Sequence, residues 1–576
     1  MNRYLYFIEK IRGYRPSYLF PDLLAGLTIA VVLIPQAMSY AMMAGLPPVY
    51  GLYAAALPPI IGALWGRSSL LATGPVAMVS LLVFTSLVPY AKPGTPEYIS
   101  YAIALALMVG VIQLLMGVFK LGFLMRFVSH PVIVGFTNAA AIIIAATQVK
   151  HLLGIEVKAS EFVFQMFANT AGNLGDTNFY TLGIGILAFI IIMGGRKIHN
   201  LFPGALVAAV VTTFMVYFFK LENMGVKIVG LMPSGLPLPK IPAIDLETGA
   251  RLFGAAIVIA IIGFMEAMAI TKSVSAKVKE KVDTDQELLG QGLSNIVGSL
   301  FQAYPVSGSF SRTAVNLQVG GKTAFSSVFS GLFVILAILF LTSSFHYLPK
   351  TALAAIVISA VIGLAQHSHF VRLFKTSRSD GSVAVITLVF AFLTKPDYAI
   401  FIGIVMSLIL FLWESMKPRI TVLTRHPRAE IFEDAGATGN PVCPQILYLR
   451  PDFSIYFANA EYIRENIMAM AKERKNGLKY VLIDMEAVSS IDATGMDELK
   501  ALLEETNTLN IGLYIANVKL AVREILQKTG FTNLLEQTHC LNSKGESITL
   551  LFNKIDHDYC KNVCPHTVFW ECETVK

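Results

Sequence analysis

Charged residues are scarce in this chain of 576 residues: they make up 14% of it, whereas hydrophobic residues make up 55%. Soluble domains carry about 25% charged residues. One large soluble core cannot account for the deficit, because such cores stop growing at roughly 250–300 residues. Many separate stretches reach the roughly 20 apolar residues that span a bilayer. Composition therefore favours a polytopic membrane protein over a large hydrophobic soluble enzyme.

Three further features are missing from the sequence. The net charge of +7 is not gathered into a basic patch, which disfavours a nucleic-acid binder. A cleavable signal peptide is not expected, because residues 1–18 are polar and basic and the first long apolar run begins near Leu23. The five cysteines are odd in number, which disfavours a disulfide framework.

The apolar density defines a transmembrane domain at 22–416 after an N-terminus at 1–21. A polar linker at 417–444, a soluble α/β domain at 445–555 and a tail at 556–576 follow. The membrane part contains fourteen apolar runs: 22–44, 49–66, 74–90, 99–119, 126–150, 179–194, 201–219, 250–271, 286–301, 309–320, 323–345, 349–366, 382–395 and 397–416.

Basic residues in the connections indicate the topology. Connections after even-numbered runs are rich in them: Arg67, Lys120, Arg126, Arg196, Lys197, Lys272, Lys277, Lys279, Lys281, Arg372, Lys375, Arg378, Lys417 and Arg419. Connections after odd-numbered runs hold fewer: Lys92, Lys150, Lys220, Lys227 and Lys240. The positive-inside rule then predicts that both termini are cytoplasmic and that the number of crossings is even.

Two runs, 74–90 and 309–320, are short and are entered through Gly/Pro/Ser segments. Such an entry fits a half-helix that begins after extended chain. Each of the two runs is the third in its half of seven. Paired interrupted segments of this kind point to a transporter site built on inverted repeats.

The beginnings of these two runs carry the candidate binding chemistry. A helix that begins inside the membrane leaves its first N–H groups unpaired and presents a partial positive charge. Two such ends facing each other predict an anion site that needs no metal. Ser309 and Ser311 add hydroxyl donors, and Arg312 adds a charged planar fork. The alternative is that Arg312 reaches an interface and that the serines only cap a helix.

Glu266 lies within the otherwise apolar segment Ile257–Ile270. A carboxylate in a membrane span is costly and is a functional hypothesis by default. Burial favours the protonated form, so Glu266 is a candidate for proton coupling, with Arg312 as its charge partner. The alternative is a purely structural pair of these two residues.

The first run contains Pro35, which is expected to break the helix and to let Gln36 and Tyr40 reach a ligand. Taken alone this pattern is weak, because helical glutamine and tyrosine more often pack against neighbouring helices.

Four blocks of sequence resemble the SulP family of anion transporters, which includes sulfate permeases, bicarbonate transporters and the mammalian motor protein prestin. The blocks are Pro35–Ala41, Gly45–Tyr53, Thr73–Ala77 and Pro305–Asn316, of which the second and fourth are highly specific. The resemblance continues to about Ile555.

This resemblance implies an α-helical membrane protein with fourteen spans in two inverted repeats of seven, divided into core and gate domains. It also implies a homodimer and an elevator-like movement of core against gate. The anion would lie between the beginnings of the third and tenth spans, near Gln36, Tyr40, Val76, Ala77, Phe310, Ser311 and Arg312.

Glu266 matches the acidic position of the family in the eighth span. Sodium-coupled bicarbonate members are similar there but carry an aspartate, with a threonine one turn later. This chain has Ile270 four residues after Glu266, which favours protons over sodium.

The segment 445–555 alternates between strand and helix patterns, which indicates a sheet covered by helices. Strands are predicted at Ile446–Leu449, Tyr456–Phe457, Tyr480–Met485 and Ile511–Ala516, and helices at Ala460–Arg474 and Gly495–Thr506. No phosphate-binding loop or nucleophile–base pair accompanies them, so an enzyme is not expected.

This domain resembles the STAS domain of SulP transporters and of anti-sigma-factor antagonists. In the antagonists the aspartate of one loop precedes a phosphorylated serine, whereas here Asp492 precedes Ala493. Phosphorylation at this site is therefore not expected, and regulation, partner docking or dimer contacts remain open.

The tail contains Cys560, Cys564, His566 and Cys572. Soft ligands at these spacings are compatible with zinc, but they do not form a standard metal-binding pair. An unstructured tail or a packed thiol cluster is the favoured interpretation, and no metal or cofactor is predicted.

The sequence thus predicts a secondary active transporter of the inner membrane that takes up sulfate or a similar small oxyanion with protons. Bicarbonate and C4-dicarboxylates are alternatives within the family. An anion channel or voltage-responsive protein is an alternative from another class, and a membrane-tethered signalling scaffold is a third. The expected partners are an anion, protons, membrane lipid, a second copy of the chain and, through the STAS domain, a cytoplasmic protein.

Overall fold

A computed structural model describes residues 6–123, 128–157, 163–198, 202–242, 245–362, 367–394, 396–426, 431–474, 477–535, 540–541 and 544–575. The chain forms two compact units, Met1–Ser407 and Leu408–Lys576.

The first unit is helical. Its helices are α1 (Tyr6–Arg12), α2 (Leu19–Met43), α3 (Pro48–Trp65), α4 (Ala77–Leu87), α5 (Pro96–Val118), α6 (His130–Leu153), α7 (Val163–Gly172), α8 (Phe179–Ile198), α9 (Gly204–Phe219), α10 (Leu246–Val278), α11 (Thr284–Leu300), α12 (Phe310–Val319), α13 (Phe325–Phe340), α14 (Lys350–Ile362), α15 (His367–Thr376), α16 (Arg378–Leu393) and α17 (Pro396–Met416), the last of which continues into the second unit. Two short strands, β1 (Thr73–Gly74) and β2 (Ser307–Gly308), precede α4 and α12.

Each of the fourteen apolar runs overlaps one of these helices, and α1, α7 and α15 lie outside the runs. Six of the described helices are long and apolar enough to cross a membrane by length and composition. Five more are apolar but shorter, α4 among them. The membrane character of this unit is clear, whereas the count of fourteen spans stays a prediction.

The helices of the first unit pack in two groups. The first four apolar helices of each half, α2–α5 and α10–α13, pack against one another. In the second group, α14 packs against α6 and α8, and α16 packs against α6. This division corresponds to the core and gate arrangement that the family resemblance implies.

Pro35 does not break the first long helix, so that prediction was wrong. α2 continues from Leu19 to Met43 with Pro35 inside it. The hydroxyl group of Ser39 donates a 2.7 Å hydrogen bond to the carbonyl oxygen of Pro35. Prolines are tolerated in membrane helices because neighbouring helices and Ser/Thr side chains satisfy the freed backbone groups.

The second unit contains a six-stranded sheet of order β4-β3-β5-β6-β7-β8. The strands from β5 to β8 are parallel, and β3 pairs antiparallel with both β4 and β5. Its elements are β3 (Ile420–Arg425), β4 (Phe432–Asp434), α18 (Ala435–Thr438), β5 (Ile446–Pro451), α19 (Ala460–Glu473), β6 (Tyr480–Asp484), α20 (Ala493–Thr508), β7 (Gly512–Ala516), α21 (Leu520–Lys528), α22 (Phe531–Leu534), β8 (Cys540–Leu541), α23 (Lys544–Phe552) and α24 (His557–Asn562).

Alternate residues of the strands enter two separate hydrophobic layers, as the two-residue period of a strand requires. Leu447 and Leu449 of β5 face a layer that includes Ile463 of α19. Ile446 and Tyr448 face the other layer. Both faces of the sheet are therefore covered, which explains the apolar character of its strands.

Two parts of the second unit differ from the sequence-based expectation. Residues 417–444, predicted as a linker, contain β3, β4 and α18, because the β-branched residues Ile420, Thr421 and Val422 pair with β5. Tyr456–Phe457, predicted as a strand, lies in a turn before α19, where the backbone N–H of Tyr456 is bonded to the Asn459 side chain.

The tail packs onto the second layer of the sheet. Cys560 and Cys572 are buried there together with Cys443. Of the two favoured interpretations the structure shows the packed one. Among the described residues, no group of three His, Cys, Asp or Glu side chains is arranged to hold a metal ion.

Candidate functional site

The two half-helices α4 and α12 begin directly after β1 and β2, two short strands that pair with each other. β1 and β2 pair antiparallel, with Thr73 opposite Gly308 and Gly74 opposite Ser307. Gly74 has a φ of +147°, which only glycine adopts without strain. A Cβ atom on Gly308 would lie 2.8 Å from Leu71 Cδ1 and 3.0 Å from Ala267 Cα. Glycine at 308 therefore lets β2 lie close to α10, and glycine at 74 allows the backbone angle of β1.

Hydrogen bonds from α11 hold the loop before β2. The side chain of Asn295 accepts a 2.8 Å bond from the backbone N–H of Val306 and donates to the Val306 carbonyl oxygen at 3.2 Å. Asn295 also donates to Gln113 Oε1 of α5 at 3.0 Å. Gln113 in turn donates to the carbonyl oxygen of Ala260 in α10. The loop is thus fixed to three surrounding helices.

A second set of bonds ties α12 to the segment before β1. The backbone N–H of Ser309 donates to the Ala72 carbonyl oxygen, and the Thr313 hydroxyl group accepts from the Ala72 N–H, both at 3.0 Å. Asn316 donates to the carbonyl oxygen of Leu70 at 3.0 Å. The two half-helix beginnings therefore form one rigid assembly, as a preorganised binding site requires.

Arg312 lies at the centre of this assembly and is fully buried, with 0% exposure. Its Nη1 atom donates a 2.9 Å hydrogen bond to the carbonyl oxygen of Pro75, directly before α4. Its Nε and Nη2 atoms are buried without a hydrogen-bond partner among the described residues. Arg312 does not reach an interface, and two of its donors remain available for an anion.

Glu266 of α10 is an electrostatic neighbour of Arg312. In the part of the chain that the structure describes, neither an ion pair nor a hydrogen bond joins the two side chains. The Oε2 atom of Glu266 is buried and has no partner among the described residues. The expected charge relation is therefore present, but not as a direct contact.

Two cavities lie on either side of the beginning of α12. One of about 470 Å³ is lined by Glu266, Met78 of α4 and Phe310, and we call it the Glu266 cavity. The other, of about 230 Å³, is lined by Gln36 and Ser311, and we call it the Gln36 cavity. Phe310 and Ser311, which are consecutive residues of α12, therefore line different cavities.

The remaining predicted residues lie close to these cavities. Val76 and Ala77 are buried where α4 begins, and the Ser309 hydroxyl group caps α12 by accepting from the Arg312 N–H. Tyr40 is buried and is an electrostatic neighbour of Arg312. Gln36 is buried, and its Oε1 atom has no partner among the described residues.

The supporting residues of α11 were not predicted from the sequence. Run 286–301 contains Glu287, Gln291 and Asn295, all buried. Glu287 accepts hydrogen bonds from two backbone N–H groups after α3 and holds that turn. Polar residues inside an intramembrane run mark functional or supporting positions. That signal was present and would have found them.

Comparison with known proteins identifies the family. The model of the sulfate permease family matches residues 19–387, and that of the STAS domain matches residues 440–545. The sulfate transporter 4.1, chloroplastic, of Arabidopsis thaliana is 36% identical over 544 residues, which cover 91% of this chain and 79% of that protein. High affinity sulfate transporter 2 of Stylosanthes hamata is 33% identical over 555 residues, with 92% and 82% covered.

Two solved structures show the same fold at low identity. The murine Solute Carrier 26 family member A9 anion transporter, in the inward-facing state, has a TM-score of 0.87 at 22% identity over 95% of this chain and 94% of that one. The transmembrane domain of the cyanobacterium bicarbonate transporter BicA has a TM-score of 0.59 at 22% identity, with 68% and 98% covered. The helical membrane fold and the attached α/β domain are thus confirmed. The chain belongs to the sulfate permease family, a family of anion transporters rather than enzymes, and it carries a C-terminal STAS domain.

Proposed function

We propose that this protein takes up sulfate, or a closely similar oxyanion, together with protons. The observation that carries the proposal is that two donors of Arg312, held next to the beginnings of α4 and α12, have no partner among the described residues. A buried charge without a partner is costly, and a bound anion would satisfy it. The relatives named as sulfate transporters support sulfate as the first substrate to test.

The anion would contact the free backbone N–H groups at the beginnings of both half-helices and the two free donors of Arg312. Gln36 and Ser311 supply further polar groups from the Gln36 cavity. Tyr40, Val76, Ala77, Ser309 and Phe310 complete the proposed binding residues. This donor set needs no metal ion or cofactor.

Glu266 provides the coupling in this proposal. A charged Glu266 would compete with the anion for the positive potential of Arg312, its electrostatic neighbour. A proton on the carboxyl group removes that competition, so anion and proton bind together. The buried Oε2 atom of Glu266 has no partner within the described part of the chain, which suits a group that gains and loses a proton.

The proposed setting is an inner membrane with both termini in the cytoplasm, as the distribution of basic residues predicts. The core group of helices would move against the gate group in an elevator-like step. The protein would act as a homodimer, with the STAS domain free to bind a cytoplasmic protein partner.

The test is uptake of labelled sulfate into proteoliposomes with and without an inward proton gradient. Saturable accumulation that the gradient accelerates is the expected result. In Glu266→Gln the gradient should lose its effect while sulfate binding persists, because the neutral amide resembles the protonated carboxyl group. An equal rate of uptake with and without the gradient in the unmodified protein would exclude proton coupling.

A competition panel with unlabelled bicarbonate, C4-dicarboxylates and sulfate defines the substrate in the same preparation. Sulfate should compete most strongly. Stronger competition by another anion would reassign the substrate but leave the binding site in place. Single-channel currents without saturable accumulation would overturn transport in favour of a channel.

A further inference from the structure

The Glu266 cavity contains two histidines that the proposed anion site does not use. His130 begins α6 and His369 lies on α15, and both line this cavity together with Glu266. Their rings lie 6.1 Å apart between centroids. One space therefore holds a carboxyl group and two imidazole groups, which are side chains that commonly transfer protons in proteins.

The three groups differ in their access to solvent. Glu266 is half-buried, and its Oε2 atom is fully enclosed. Both histidines are exposed, because they lie at the ends of the helices that border the cavity. A volume of about 470 Å³ is enough for several water molecules, each of which takes up about 30 Å³ in the liquid. The cavity therefore leads from a buried acid to two exposed bases.

His130 has both positive and negative groups as electrostatic neighbours. Arg372, on the same helix as His369, and Asp380 of α16 are electrostatic neighbours of His130. Arg312 is the charged neighbour of Glu266 at the inner end. Arg372 belongs to the connection that the positive-inside rule places in the cytoplasm, so the histidines lie on that side.

We propose that His130 and His369 form the relay that carries the proton of Glu266 to the cytoplasm. This inference rests on the proposed proton-coupled uptake. In the step, the O–H bond of Glu266 breaks and an N–H bond forms on an imidazole ring, directly or through water. The imidazolium then releases its other ring proton to cytoplasmic water, which leaves a carboxylate and a neutral imidazole.

The relay predicts that loss of the histidines affects net uptake but not sulfate–sulfate exchange. Net uptake requires that Glu266 lose its proton on the cytoplasmic side in every cycle. Exchange of sulfate for sulfate does not, because the loaded protein can return with the proton still bound. A residue that only supports the fold would affect both modes equally.

The experiment compares His130→Gln/His369→Gln with the unmodified protein in proteoliposomes. Proton-driven net sulfate uptake should fall about 10-fold or more, since positioned acid–base groups contribute about 10²–10⁴-fold. Sulfate–sulfate exchange should stay within about twofold of normal. Imidazole added on the cytoplasmic side should restore part of the net uptake to the double variant.

The matched control is His346→Gln, which changes a histidine that does not line this cavity. It should leave net uptake and exchange unchanged. Unchanged net uptake in the double variant, or an equal loss of net uptake and exchange without rescue by imidazole, would overturn the relay. Net uptake that ignores the proton gradient in the unmodified protein would instead refute the proposed function, and the relay with it.

Discussion

Arg312 donates a hydrogen bond from Nη1 to the carbonyl oxygen of Pro75 at 2.9 Å, and this bond joins the beginnings of two half-helices that are 237 residues apart in sequence. The arginine therefore has two roles. It holds the segment after β1 against α12, and its Nε and Nη2 atoms, which have no hydrogen-bond partner among the described residues, are the donors that we propose for the anion.

Arg312→Lys tests the proposed contact with the anion. A lysine retains the charge, but as a point charge without the planar fork that can hold Pro75 and an anion at once. Sulfate affinity should fall by about 100-fold or more, because hydrogen bonds to charged groups contribute about 1.5–3 kcal/mol each. The measurement is binding by calorimetry in detergent, combined with uptake.

The control for this substitution is Arg378→Lys, at the exposed beginning of α16. It should leave affinity and Tm unchanged. An Arg312→Lys protein with normal affinity would show that Arg312 does not contact the anion and serves the loop crossing alone.

Ser311 and Ser309 are expected to differ although they are two residues apart. Ser311 is exposed and lines the Gln36 cavity, whereas Ser309 is buried and caps α12. Ser311→Ala should weaken sulfate binding about 10-fold with no change in Tm, since it removes one hydrogen bond to a charged ligand.

Ser309→Ala should instead lower stability by about 1 kcal/mol, the typical effect of removing a helix cap. Thermal unfolding and uptake measured on both variants check the pair. Equal effects on stability would mean that Ser311 supports the helix and not the ligand.

The sequence made the broad architecture and the position of the site predictable because both depend on local patterns. Apolar runs, loop charges and the segments before Ala77 and Phe310 all act over fewer than about 25 residues. The supporting contacts were harder to predict because they join distant segments. Asn295 of α11 bonds to Val306, which is close in sequence, but its hydrogen bond to Gln113 joins residues that are 182 positions apart.

The misplaced features have a physical reason as well. Pro35 was expected to break α2, yet the helix continues through it to Met43. β3 was missed because its six residues follow directly on polar sequence and pair with β5, a contact between segments that local patterns do not show. Arg312 was named as the charge partner of Glu266, and it is an electrostatic neighbour, but among the described residues no hydrogen bond or ion pair joins the two, and sequence gives no distance.

A substitution at Gly308 tests the close packing of β2 against Leu71 and α10. A methyl group there would meet Leu71 and Ala267 at 2.8–3.0 Å, contacts closer than side chains normally make. Gly308→Ala should therefore lower stability by about 1–3 kcal/mol, as overpacking does, and should reduce uptake by displacing the beginning of α12.

Gly254→Ala is its matched control. Gly254 lies inside α10, and a Cβ atom there would have no neighbour within 4 Å. This substitution should leave uptake unchanged and raise Tm slightly, because alanine favours a helix by about 1 kcal/mol over glycine. Equal Tm values for the two variants would contradict the tight packing at Gly308.

Cys443 reports on the packing of the tail. Burial raises the pKa of the Cys443 thiol to about 12, so almost no thiolate forms at pH 8. Cys564, in contrast, is partly exposed. At pH 8 a maleimide should label Cys564 more than about 100-fold faster than Cys443, because the thiolate is the reactive form and burial blocks access. Peptide mass spectrometry after timed labelling measures the two rates, and both sites should react alike in denaturant.

Raising the pH from 8 to 9 should not make Cys443 reactive toward the reagent, since that range lies well below the pKa of its thiol. Rapid labelling of Cys443 in the folded protein would mean that the tail leaves the sheet in solution.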